Sequence, residues 1–267
     1  MLSLRVDLRC FYLHSNEEYK VVNWPYPRVA AHRGGGTLAP ENTLAAIRVG
    51  AKLGLKMVEF DAKLSADEVA FLLHDDTVNR TSDGWGAAAR KQYAAITRLD
   101  AGSWFDGRFS GEWMPTLQQA SECCSALGLA VNVEIKPCPG RETLTGHIVA
   151  GEVARWWKGT TPPALLSSFS LEALCGARDA AAHLPRGWLV GAVPVNWREH
   201  ARALGCVSLH VDHRQLTAAR IAQISEAGLR ILAYTVNTPE RARELVEWGV
   251  DTICTDRIDL IGADFFG

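Results

Sequence analysis

Glu59 and Asp61 stand two residues apart in the run MVEFDAKL, and His74 follows after one short turn. Val58, Phe60 and Leu64 alternate with Glu59, Asp61 and Lys63. Side chains two apart on a strand point the same way, so the two carboxylates share a face. Ser65-Ala66-Asp67-Glu68 reads as a turn, and Val69 to Leu73 as a returning apolar arm. A turn centred on Ala66-Asp67 sets Glu59 opposite His74, where cross-strand Cβ atoms lie about 5 Å apart. Two carboxylates and an imidazole at one buried point are costly unless a cation or partner charges compensate them. The competing reading is a half-exposed hairpin whose carboxylates face water.

Glu134 and Lys136 repeat the spacing in NVEIK, with Val133 and Ile135 on the opposite side. Three carboxylates from two strands form an oxygen-rich set suited to a hard divalent cation, Mg2+ or Ca2+. Zinc finds neither an H-E-x-x-H helix nor a cysteine cluster. His32 and His74 could divide general acid and base work on a phosphate ester, since imidazole titrates near neutral pH. Arg33 could fork onto phosphate oxygens. Gly34-Gly35-Gly36 lacks the G-K-[ST] ending of a nucleotide-binding loop, and no G-x-S-x-G elbow surrounds Ser167-Ser168. His14, His147, His183, His200, His210 and His213 read as structural histidines.

Strands are expected to begin near Val29, Met57, Ala130, Ala164, Gly187, Val207, Arg230 and Thr252, each separated from the next by a helical pattern. Strand–helix alternation implies parallel strands with right-handed crossovers. Eight such units make an α/β protein of the (β/α)8 TIM-barrel class, with active residues at the C-terminal strand ends. His32-Arg33, Glu59/Asp61, Glu134/Lys136, Ser168/Phe169 and Thr255/Asp256 fall at those ends. Asn42 reads as the N-cap of a helix over 43–53. Residues 75–115, rich in Gly, Asp and aromatics, form a small insertion after the second strand. Trp85, Trp104 and Phe105 either make that insertion's own core or wall the barrel mouth. Residues 1–22 carry no periodicity and read as a poorly ordered, dispensable extension, with residues 23–267 as the barrel domain.

The 267 residues are 48% hydrophobic and 22% charged, with a formal net charge of −2. That balance lacks the basic footprint of a nucleic-acid binder. No apolar run approaches the roughly 20 residues of a membrane span, and no amphipathic anchor predicts stable membrane association. Residues 1–22 hold no continuous apolar stretch of signal-peptide type. The seven cysteines show no C-x-x-C spacing and read as reduced thiols of a cytoplasmic protein, monomer or homodimer.

AHRGGGTLAPENTLAA, EFDAKLSADEVAFLLHDDTVNRTSDG, DAGSWF, NVEIKP, LLSSF, LAYTVN and ICTD, in that order, resemble the glycerophosphodiester phosphodiesterases, especially the bacterial cytosolic enzyme. The resemblance runs from about Asn23 to the C-terminus. It implies metal-dependent hydrolysis of small-molecule glycerophosphodiesters to sn-glycerol 3-phosphate and an alcohol. It further implies Glu59, Asp61 and Glu134 as metal ligands, His32 and His74 as the acid/base pair, and Arg33 and Lys136 on the phosphate. Phe105 and Phe169 would contact substrate, Phe105 at the glycerol face. One departure is Glu68-Val69, where the family usually has glycine in the hairpin turn. Lysophospholipase D or phospholipase C-like action on lipids, and a non-catalytic phosphodiester-binding barrel, stand as the alternatives.

Overall fold

Eight parallel strands close on themselves in the computed structural model, which describes residues 23–267. They are β1 (Val29–Ala31), β2 (Met57–Leu64), β4 (Ala130–Ile135), β5 (Leu165–Ser168), β6 (Arg186–Val190), β7 (Ser208–Asp212), β8 (Arg230–Tyr234) and β9 (Thr252–Thr255). Ala31 pairs with Val58 and with Thr255, so β1 joins β2 to β9 and leaves no open edge. The helices between them are α1 (Leu44–Lys52), α3 (Leu117–Leu127), α4 (Glu142–Trp156), α5 (Leu171–Ala180), α6 (Trp197–Ala203), α7 (Ala218–Glu226) and α8 (Pro239–Glu247). This is the expected (β/α)8 barrel. The expected extension over residues 1–22 lies outside the described residues.

Two layers of side chains follow from the strand period. Val58, Phe60, Ala62, Val131, Val133 and Ile135 face the helices and join one large apolar cluster. Met57, Ala130, Leu165, Ala30 and Tyr26 form a separate small cluster at the strand beginnings. The barrel is thus plugged by apolar groups at its base, which leaves polar residues to its upper half.

β2 outruns the barrel. Its first six residues pair with β4, while Ala62, Lys63 and Leu64 pair antiparallel with β3 (Ala70–Leu72). The expected hairpin register is corrected by one residue, because Lys63 faces Phe71 rather than Ala70. The turn holds three residues: Ser65 N–H donates to Val69 O (3.1 Å), and Glu68 takes a left-handed φ of 63°. That extra residue is the left-handed third position common in three-residue hairpin loops. Glycine adopts this φ without penalty, whereas glutamate bears a steric cost.

The helix start is corrected too. Thr43, not Asn42, caps α1, its hydroxyl accepting from Ala46 N–H at 3.1 Å. Asn42 has a left-handed φ of 59° and turns its amide inward. The insertion has its own core of Phe71, Leu73, Val78, Ala88, Ile96, Ala101 and Met114, with one short helix α2 (Tyr93–Ile96). Trp85, 76% exposed, and Trp104, 40% exposed, stand outside that core. Among the described residues five cysteines are free thiols and Cys175 is disulfide-bonded, which corrects the expectation of seven reduced thiols. The cysteines therefore carry no argument about compartment. Among the described residues no helix is long and apolar enough to cross a membrane.

Candidate active site

Glu59 and Asp61 project inward from β2, and Glu134 from the neighbouring β4, where Asp61 and Glu134 are register partners. All three are buried, and carboxylate oxygens from each lie within 4.8 Å of one another. A divalent cation about 2.0 to 2.6 Å from each oxygen spans that spread. Burial pushes the Glu59 carboxyl up to about 8, and repulsion from Asp61 adds to the rise. Burial and Asp61 likewise push Glu134 up to about 7. Burial opposes ionisation of Asp61, but Lys136, Arg33 and the Asn42 amide outweigh it and hold the carboxyl low. Carboxylates packed this tightly and this deeply are what a bound cation would relieve. The residues fit a hard metal ion.

His32 leaves the end of β1 and is fixed from behind. Its Nδ1 lies 2.6 Å from Asp256 Oδ1, beyond the end of β9. Asn237 holds Asp256 twice, donating from Nδ2 to Oδ2 (3.0 Å) and accepting the Asp256 N–H at Oδ1 (2.9 Å). The other imidazole nitrogen, Nε2, is then left 3.9 Å from Glu59. Burial works against a proton on His32, but Asp256 and Glu59 outweigh it and raise the pKa.

His74 arrives by a different route from the expected strand pairing. The ladder ends where Leu73 N–H donates to Asp61 O, and His74 is the next residue. Its Nδ1 is 2.8 Å from Asp75, which Arg80 grips through two nitrogens. Arg80 also clamps Glu41, and Glu41 accepts from Arg33 Nη1 at 2.7 Å. An alternating chain of charges thus joins Arg33 to His74 across the insertion. Burial lowers the His74 pKa, although Asp61 pulls the other way.

These groups surround one cavity of about 160 Å³. His32, Arg33, Glu59, His74, Glu134, Lys136 and Phe169 line it. Lys136 Nζ donates to Glu134 (2.7 Å), lies 3.8 Å from Asp61 and sits 5.4 Å from the Phe169 ring centre. Arg33 donates its backbone N–H to Glu59 (3.0 Å), and its buried Nε has no hydrogen-bond partner among the described residues. Phe169 is exposed at the mouth and packs edge-on against Tyr234. Phe105 lies instead on an adjoining groove with Trp104.

His210 was expected to be structural, and only half of it is satisfied. Nε2 pairs with the Ser208 hydroxyl, while Nδ1 is orphaned on the cavity floor beside Asn132, whose Oδ1 is also unpartnered. The imidazole lies over Gly187, where a Cβ would come within 2.2 Å of Nε2. Burial drives its pKa down to about 3, so it is neutral. His147, His183, His200 and His213 do not line the cavity, and His14 lies outside the described residues.

Sequence reasoning missed Asn42, Asn237 and Arg80, and gave Asp75 and Asp256 no role. Asp75 was legible as the neighbour of His74; the others are partners only in space. Asn42 donates from Nδ2 to Asp61 Oδ2 (2.9 Å) and accepts the Asp61 N–H (3.0 Å). Asn42→Ala strips a buried carboxylate and a buried amide of their partners, an expected cost of about 1–3 kcal/mol. Divalent-cation affinity is expected to fall about 10–100-fold with it. Urea melts and metal titration check both; unchanged affinity would show that Asn42 only shapes the turn.

The comparisons agree with this geometry. A family model, "Glycerophosphoryl diester phosphodiesterase family", matches residues 32–260. The glycerophosphodiester phosphodiesterase of Caldanaerobacter subterraneus subsp. tengcongensis is 31% identical over 85% of this chain and 93% of its own. A phosphodiesterase of Oleispira antarctica, solved in complex with the product sn-glycerol-3-phosphate, superposes with a TM-score of 0.81 at 36% identity. That match covers 86% of this chain and 93% of the other. The Agrobacterium tumefaciens glycerophosphodiester phosphodiesterase superposes with a TM-score of 0.72 at 27% identity, over 90% of this chain and 99% of its own. From the family match over residues 32–260 and these likenesses, the chain belongs to the glycerophosphoryl diester phosphodiesterase family.

Proposed function

We propose that this enzyme hydrolyses glycerophosphodiesters to sn-glycerol 3-phosphate and the free alcohol. A divalent cation, Mg2+ or Ca2+, is held by Glu59, Asp61 and Glu134, and His32 and His74 handle the protons. The observation that carries the reading is a cluster of three buried carboxylates, two of which, Glu59 and Glu134, line one cavity together with His32 and His74. When bound, the cation offsets the charge that grows on the phosphoryl oxygens in the transition state. Arg33, whose Nε lies 3.7 Å from Asp61, and Lys136 supply positive charge beside those same oxygens. One histidine takes the proton from the attacking hydroxyl or water, and the other returns a proton to the departing alcohol oxygen. Asp256 and Asp75 behind them hold each ring by Nδ1 and leave Nε2 for the reaction. Phe169 contacts substrate at the mouth.

Turnover of a panel of glycerophosphodiesters, with the matching lysolipid and with bis(p-nitrophenyl) phosphate, each with and without chelator, tests the reading. Release of glycerol 3-phosphate that depends on added cation is expected. Preference for the lysolipid would favour lipid action, with the exposed Trp85 and Trp104 as its contacts. Binding without any product would leave a non-catalytic barrel.

A further inference from the structure

We propose that the groove between the loop after β1 and the insertion holds the alcohol arm of the substrate. There it favours alcohols with a compact alkylammonium body over polyhydroxylated rings. The inference rests on the glycerophosphodiester reading and names a subsite within it.

A phosphodiester sends two arms away from phosphorus, and the central cavity has room for one. Its volume of about 160 Å³ falls short of the roughly 300 Å³ at which ligand sites begin. Leu189, His210 and Leu232 close its floor. The groove adds about 350 Å³ and shares His32 and Arg33 as a common wall, with Asp256 at the junction. A phosphate astride that wall would direct one arm down into the cavity and the other outward into the groove.

Which arm goes where follows from the course of the reaction. The alcohol departs when its P–O bond breaks, while glycerol 3-phosphate is still held by the cation site. The arm that leaves first needs the route to solvent, and the groove has one. Thr37 and Trp104 on its rim are exposed, and the carboxylates Glu59 and Glu134 that would hold the cation line the cavity and not the groove. The aromatic wall that Phe105 provides is therefore assigned to the alcohol rather than to the glycerol face.

The groove's chemistry sets what the alcohol is. Its carboxylates are already paired, Glu41 with Arg33 and Arg80, Asp256 with His32, so net charge selects little. What remains is aromatic surface. Trp104 is held in place, its Nε1–H donating to Ala101 O at 2.8 Å and its ring packing edge-on against Phe105 at 5.7 Å. Such preorganised faces attract an alkylammonium group. A ring of hydroxyls would lose water there and gain few partners.

Steady-state kinetics on glycerophosphocholine and glycerophosphoinositol, with glycerol 3-phosphate as competitive inhibitor, test this in the wild type, Trp104→Ala and Trp104→Phe. Trp104→Ala is expected to raise KM for glycerophosphocholine about two- to fivefold, and for glycerophosphoinositol less. The inhibition constant of glycerol 3-phosphate, which has no alcohol arm, should stay put, and Trp104→Phe should recover most of the loss. An inhibition constant that rises with KM would place glycerol in the groove and overturn the assignment. An unchanged KM for glycerophosphocholine would overturn it as well. A wild-type enzyme that cleaves no glycerophosphodiester would overturn the reaction itself, a separate and recognisable outcome.

Discussion

Dialysis against excess chelator is expected to abolish glycerophosphodiester turnover, with millimolar Mg2+ or Ca2+ restoring it. A cation contributes several kcal/mol of charge stabilisation in such a reaction, and each 1.36 kcal/mol is tenfold in rate. A loss of at least about 10³-fold is the corresponding expectation. The same carboxylates predict a pH signature that needs no substrate. Glu59 rises from an ordinary 4.5 to about 8, and Glu134 to about 7. Below pH 4.5 both states hold these protons, so nothing changes. Between 4.5 and 8 the unfolded chain ionises while the fold retains protons, and stability falls as pH rises. Above pH 8 that penalty is complete. From about pH 6.5 to 8 the metal-free protein should therefore melt progressively earlier; below 6.5 the buried neutral His210, which must gain a proton on unfolding, opposes the fall. A cation binds the ionised folded form and repays the penalty, so its shift in Tm should be larger at pH 8 than at pH 5. Full turnover persisting in excess chelator would sink the metal assignment, and a pH-independent Tm shift would sink the coupling.

The second large effect is expected at His32. His32→Ala should lower kcat by about 10²–10⁴-fold, the usual contribution of a positioned acid or base. Asp256→Asn should also lower kcat, by up to about 10⁴-fold, because the imidazole remains but loses the carboxylate that selects its tautomer and orientation. Two readouts separate this from simple structural damage. KM should change less than kcat, since the Asp256 carboxylate is taken up by His32 and Asn237 and acts through the ring. The pH–rate limb belonging to His32 should move to lower pH, because the Asp256 carboxylate is what raises that pKa. The direction is the same whether His32 acts as acid or base. Loss of kcat with an unmoved limb would mean that Asp256 matters to the fold and not to the proton.

Strand periodicity was enough to put Glu59 beside Asp61 and Glu134 beside Lys136, because alternation is a local property of two or three residues. Eight strand–helix units were enough for the closed barrel, since parallel strands with helical crossovers have few alternatives at this length. Order along the chain therefore already placed His32, Glu59, Asp61 and Glu134 at strand ends and His74 just beyond the hairpin. What tertiary structure alone decided is partnership. Asp256 meets His32 only because β9 closes the barrel against β1, 224 residues apart in sequence. Asn42, read locally as a helix cap, gives its amide to Asp61 because the carboxylate is buried and must be satisfied. The hairpin register turned on Glu68 accepting a left-handed φ, which sequence patterns disfavour for any residue but glycine or asparagine. Trp104 and Phe105 pack against each other on the groove that His32 also lines, outside the small core formed by Phe71, Ile96 and Met114, a placement that depends on how the insertion folds over the barrel. Local spacing determines which way a side chain points; which groups it meets depends on how distant strands close around it.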